Sequence, residues 1–207
     1  LRLLVIDTAG DNCSAGVFDD ERSLAERCER LNRGQAERIV PMVGEVMAEA
    51  GCAWDQLDLI VATIGPGTYT GIRAGLAAAR GFAMAAGQLT VGVSTLEALA
   101  GTMPLGRRVT ALIGGRGGGA FVQRFAEDGA PMDEPQPINR SAIDRAAEVG
   151  TVIEDAAAVG PGPVATAALR KLARGADPAP GSSLYPLYLR EPDARPDAGR
   201  PLIRAAD

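Results

Sequence analysis

A strand that must become a helix within six residues leaves few folds open. The segment Gly65-Pro-Gly-Thr-Tyr-Thr-Gly-Ile-Arg73 imposes that constraint. The apolar run before it (57–65) has the length and β-branched content of a buried strand. After it, residues 71–87 follow a helical pattern built almost wholly of small residues. Strand-to-helix passages of this kind belong to α/β architectures. Glycine permits the tight turn, and Thr68 and Thr70 can cap the exposed amides. The Gly-Lys-Ser/Thr ending of a P-loop is missing, and the third glycine falls one residue late for a dinucleotide fingerprint. A helix N-terminus with Arg73 in its first turn could hold an anion. A structural turn and a ligand loop both stay open.

The flanking pattern fits. Residues 1–7 read as a buried strand ending in a carboxylate, and 13–20 resume after the polar turn Thr8–Asn12 at hairpin spacing. Residues 21–31 return as a third strand, although their period also fits a helix. From Gln35 the apolar positions Ile39, Val43, Val46, Met47 and Ala50 keep helical spacing. Pro41 lies inside that helix and removes a backbone donor, which predicts a kink, and Gly51 is placed to end it. Residues 89–93 form another short strand, after which Ser94 and Glu97 make a capping-box pair. Beyond Pro104, residues 107–115 and 119–125 read as two strands around a glycine-rich turn. Residues 141–148 and 164–173 read as helices and 156–160 as a strand. The Pro- and Ala-rich tail from 191 to 207 reads as loose.

Composition then excludes functions. The chain has 207 residues and contains no histidine, which removes the commonest general base and metal ligand. Cys13, Cys28 and Cys52 match no zinc spacing and suit a reducing cytosol, so a cytoplasmic location is expected. No serine sits in a nucleophile elbow, and no histidine is there to activate a cysteine. No apolar run approaches membrane-span length, and the opening is unlike a secretory signal. A net charge of −5 argues against whole-molecule attraction to nucleic acid. Arg73, Arg80, Arg107, Arg108, Arg116 and Arg124 nonetheless face the single acid Glu97 between residues 65 and 126. The stretch 98–126 is either solvated surface or a face toward phosphate.

Three sites invite chemistry. Asp7 stands where a strand opens into a hairpin, followed by Thr8; it either caps the turn or meets magnesium or phosphate. The loop offers Gly65, Gly67, Thr68, Thr70 and Arg73 to the same anion. Gly114–Gly119 loosely match a dinucleotide pattern, but strand rather than helix follows, so a glycine turn is the reading. Helix 71–87 is apolar on more than one side; either all of this packs on the protein's own sheet, or it exceeds what one sheet can cover and points to a partner.

These blocks resemble the TsaB (YeaZ) family in the correct order. Residues 6–18 look like its opening, and 37–51 look like its helix with an internal proline. Residues 64–83 resemble its Gly-Pro-Gly-[Ser/Thr]-[Phe/Tyr]-Thr-Gly-[Ile/Val/Leu]-Arg signature almost residue for residue. Residues 91–100 resemble the next segment, and 186–192 resemble its C-terminal Tyr-Leu-Arg element. The resemblance covers most of 1–100 and is loose over 126–183.

The resemblance implies an actin-like ATPase fold, of the sugar kinase and heat-shock ATPase class, with two ribonuclease-H-like lobes. Expected bounds are 1–103, with the partner-binding helices, and 104–190, before the loose tail. It implies a non-catalytic subunit that dimerises with TsaD, or with itself when TsaD is absent. With the ATPase TsaE, the pair would transfer threonylcarbamoyl to the tRNA adenosine beside the anticodon, so tRNA is met through the complex. Pairing is implied through the helices matching 35–50 and 71–87; Ile39, Val43, Met47, Ile72, Gly75, Leu76, Ala79 and Phe82 are the expected contacts. No cofactor is required and no metal site is expected, with room left for ATP or ADP and magnesium at the partner interface. Two departures matter. Gln35 stands about where the family often has a histidine. The family's Ala-[Ile/Leu]-Asp-Ala-Arg element appears here as Ala-Leu-Ile-Gly-Gly-Arg116, so its acid is lost. The alternative from another class is a nucleotide-dependent small-molecule kinase or ATPase of the same fold.

Overall fold

The computed structural model describes residues 1–31, 33–114, 119–139, 151–153 and 159–189. Strands β1 (Arg2–Asp7), β2 (Asn12–Asp19) and β3 (Arg22–Arg30) form an antiparallel meander. Helix α1 (Gln35–Glu49) and a 3-10 turn (Trp54–Gln56) lead to β4 (Leu59–Gly65), which pairs parallel with β1. Helix α2 (Tyr69–Ala86) then returns the chain to β5 (Leu89–Ser94), parallel to β4, for a sheet order β3-β2-β1-β4-β5.

β1 lies at the centre and is buried on both faces, as its unbroken apolar run requires. Leu4 and Ile6 point into a core closed by α1 and α2, and Leu3 and Val5 into a second core. That second core is shared with α3 (Thr95–Gly101), α4 (Pro161–Ala173) and a four-stranded sheet. The second sheet contains β6 (Val109–Gly114), β7 (Gly119–Phe125), β8 (Gln136–Asn139) and β9 (Thr151–Ile153), in the order β8-β7-β6-β9. β8, β7 and β6 are antiparallel and β9 is parallel to β6, repeating the β3-β2-β1-β4 arrangement of the first sheet. This duplicated ribonuclease-H-like half is the actin-like fold that the sequence blocks imply.

Local chemistry explains the boundaries. Thr68 Oγ1 accepts the Gly71 amide at 3.2 Å to cap α2, and Gly87 ends it at φ +68°. The Ser94–Glu97 capping box of α3 is present in both directions, at 2.9 and 2.7 Å. α1 runs through Pro41, which sits on its exposed side. Arg38 ties α1 to the edge strand through Glu29, at 2.6 Å, and also binds Glu45 of its own helix at 2.8 Å. Among the described residues no helix is long and apolar enough to cross a membrane.

Several expectations change. Residues 176–189 were assigned to the second lobe, yet they lie on the first. Thr90 bridges to Ala179, Leu184 is buried in the α1–α2 core, and the Leu187 amide donates to the Ile64 carbonyl at 2.8 Å. The edge of β5 needs pairing, and this returning strap supplies it. Val159 and Gly160 are not strand, and α4 starts three residues earlier than its apolar period suggests, on Pro161. β8 carries no alternation that sequence reading could catch. The predicted helix 141–148, most of the turn 114–119 and the tail 191–207 lie outside the described residues.

Candidate partner face and strand-to-helix loop

The loop after β4 is packed from behind by the turn after β1. The Thr68 amide donates to the Ala9 carbonyl at 2.7 Å, and Thr8 Oγ1 donates to the Gly71 carbonyl at 2.7 Å. A Cβ on Gly71 would run into the Thr8 carbonyl oxygen, and one on Gly67 into that of Ala9. These glycines therefore answer to close backbone approach. Asp7 is buried, and its Oδ1 accepts both Thr63 Oγ1 at 2.5 Å and the Ala9 amide at 3.0 Å. Burial raises its pKa above the ordinary 3.8, opposed by those two hydrogen bonds.

The structure thus brings Asp7, Thr8, Gly65, Gly67 and Thr68 into one corner, where Thr8, Thr68 and an Asp7 oxygen already serve the fold. Thr70 and Arg73 stand apart, exposed on α2. The Arg73 guanidinium lies over the Tyr69 ring at 3.8 Å, and its Nε–H donates to Tyr188 Oη at 2.8 Å.

A magnesium nucleotide held between two hairpin carboxylates does not fit this residue set. β6 matches β1 in the second half, but it ends on Gly114 where β1 ends on Asp7. Thiol chemistry fares no better. Burial pushes the Cys13 thiol up to about 11 and raises Cys28 as well, so neither is a thiolate near neutral pH. All three cysteines are free, and among the described residues no three His, Cys, Asp or Glu groups cluster to hold a metal.

The expected contact residues need correcting. Ile39, Val43, Met47, Ile72, Gly75, Leu76 and Ala79 are all buried in this chain's own core. Phe82 is half-buried and stacks on Trp54 with centroids 5.0 Å apart. Their periodicity marks the side of each helix that the sheet covers, as apolar periodicity in a water-facing helix must.

The opposite sides were missed. On α1, Ala36, Val40, Gly44 and Ala48 recur every four residues and are exposed. On α2, Ala77, Gly81, Met84 and Ala85 are exposed, and Met84 is 85% exposed. A Cβ on Gly44 or Gly81 would meet nothing within 4 Å. Nothing in the packing of the described residues calls for glycine there, although glycine weakens a helix interior. The signal was in the sequence: two helix-interior glycines off the apolar period, each among alanines.

The family described as TsaD, tRNA N6-adenosine threonylcarbamoyltransferase, matches residues 29–134. An uncharacterized protein of Mycobacterium tuberculosis is 34% identical over 204 residues, covering 94% of both chains. The tRNA threonylcarbamoyladenosine biosynthesis protein TsaB of Escherichia coli is 34% identical over 100 residues, which is 48% of this chain and 43% of that protein. YeaZ from Pseudomonas aeruginosa superposes with a TM-score of 0.77 at 23% identity, covering 91% of this chain and 99% of that one.

Proposed function

Because the chain belongs to the TsaD family, on its TsaB (YeaZ) side, we propose that it is the non-catalytic subunit of a tRNA threonylcarbamoyl transferase. In this role it pairs with TsaD and supports transfer of threonylcarbamoyl to the tRNA adenosine beside the anticodon, with TsaE as the accompanying ATPase. The observation that carries this reading is the outward face of α1 and α2, where Gly44 and Gly81 lie exposed among alanines with open space in front of them. Small residues let a neighbouring helix approach closely, and Val40 (53% exposed) and Met84 give that neighbour apolar surface to cover. The chain brings no histidine and one hairpin carboxylate instead of two. Its contribution is to bind one state of a partner and so raise that state's population. The same face would pair two copies when TsaD is absent.

Reconstitution tests the role. TsaD, TsaE, threonylcarbamoyl adenylate and unmodified tRNA are expected to give modified tRNA in quantity only when this chain is added, and the chain alone to give none. Turnover by the chain alone, or full TsaD activity without it, would overturn the assignment.

A further inference from the structure

The three tyrosines of the chain flank α2, Tyr69 with Tyr188 at Arg73 and Tyr185 farther along at Arg80. Tyr69 opens the helix; Tyr185 and Tyr188 lie on the returning strap. Tyr69 and Tyr188 stack with centroids 5.5 Å apart, yet they stay 51% and 43% exposed, and Tyr185 is 70% exposed. Two arginines are threaded among them. Arg73 covers Tyr69 and bonds Tyr188; Arg80 lies 5.8 Å from the Tyr185 ring and donates through Nη2 to the Leu184 carbonyl. Arg80 Nε is buried there without a partner.

Neither arginine has a carboxylate partner among the described residues. Arg22, Arg27, Arg30, Arg38 and Arg124 each reach a carboxylate. The groups that raise the Arg73 pKa are Tyr188 first and then Tyr69, with no carboxylate among them. A protein of net charge −5 has thus left two cations unneutralised between half-open aromatic rings. A ligand that complements such a surface carries negative charge and presents flat apolar faces. Unpaired nucleotides do both: each base can stack on a ring or a guanidinium plane, and the phosphates meet the arginines.

We propose that Tyr69, Arg73, Tyr188, Arg80 and Tyr185 form a platform on which unpaired bases of the RNA substrate stack, so that this subunit touches RNA itself. The inference rests on the chain's place in a tRNA-modifying family, and Arg73 and Arg80 stand one turn from Ala77 and Met84, so the platform adjoins the face that pairs with TsaD.

The test uses the full chain and two fluorescein-labelled RNAs, a hairpin with an unpaired loop and the same stem closed as a blunt duplex. Anisotropy is expected to show tighter binding of the hairpin. Tyr185→Leu, at a site too exposed to disturb folding, is expected to weaken hairpin binding about tenfold while leaving the duplex unchanged. Arg73→Lys keeps the charge but loses the planar stack, and it is expected to weaken the hairpin in the same direction. Equal binding of hairpin and duplex, or hairpin binding by both variants at the wild-type level, overturns the proposal. Co-elution of the same variants with TsaD supplies the control: lost pairing with intact hairpin binding makes the patch a protein contact and also overturns it. Since the isolated chain is the sample in the RNA measurement, its result stands whether or not α1 and α2 prove to be the pairing face.

Discussion

The two sides of α2 are built from the same small and apolar residues and do opposite work. Inward, Gly71, Gly75 and Ala79 let the helix press on the turn after β1, and Ile72, Leu76 and Ala83 fill the core. Outward, Ala77, Gly81, Met84 and Ala85 stand exposed among the described residues. Composition cannot tell these sides apart; only the period does. What the contrast teaches is that smallness records close approach, and the structure is needed to say whether the approaching body belongs to the same chain.

The contrast breaks most visibly at Ala79, which is fully buried. Ala79→Glu is expected to cost about 3 kcal/mol or more by placing an unpaired charge in the core, read as a lowered midpoint in urea. Leu76→Ala leaves a cavity at a buried position, and a loss of about 2–5 kcal/mol is expected in the same measurement.

The sequence announced this inner side well. β1, β2, β4 and β5, both helix caps of α2 and the capping box of α3 were legible, because buried runs and capping side chains are local signals; the mostly exposed β3 left strand and helix open. The partner residues were misassigned for the same reason: Ile39, Val43 and Leu76 stand out because water drives them inward, so strong periodicity reports the core. The strap at 176–189 was illegible as part of the first lobe, since one bridge from Thr90 to Ala179 and one buried Leu184 leave no periodic trace. Asp7 was found as a strand-end carboxylate, but its commitment to Thr63 and Ala9 depends on tertiary packing.

Asp7 sharpens the comparison through pH. Its folded pKa is raised above 3.8, so the native state binds its proton more readily than the unfolded chain does. Its contribution to stability is therefore fullest below the unfolded value and is lost as pH rises through the raised one. In paired thermal melts, wild type is expected to gain on Asp7→Asn as pH falls from about 7 toward about 4. A gap that moves the other way would mean the carboxyl is stabilised as an anion.

The outer side should respond mildly. Gly81→Ala, which adds a Cβ into open space within a helix, is expected to raise stability by about 0.5–1 kcal/mol. Met84→Ala, at the most exposed apolar side chain of α2, is expected to stay within about 0.5 kcal/mol of wild type. Thermal melts measure both.

Gly81→Arg asks whether the outward face of α1 and α2 seats TsaD. The substitution enters open space and replaces a helix-interior glycine, so its melting temperature should equal or exceed that of wild type, while co-elution with TsaD on size exclusion should be lost. A folded Gly81→Arg chain that still travels with TsaD as wild type does would contradict the account.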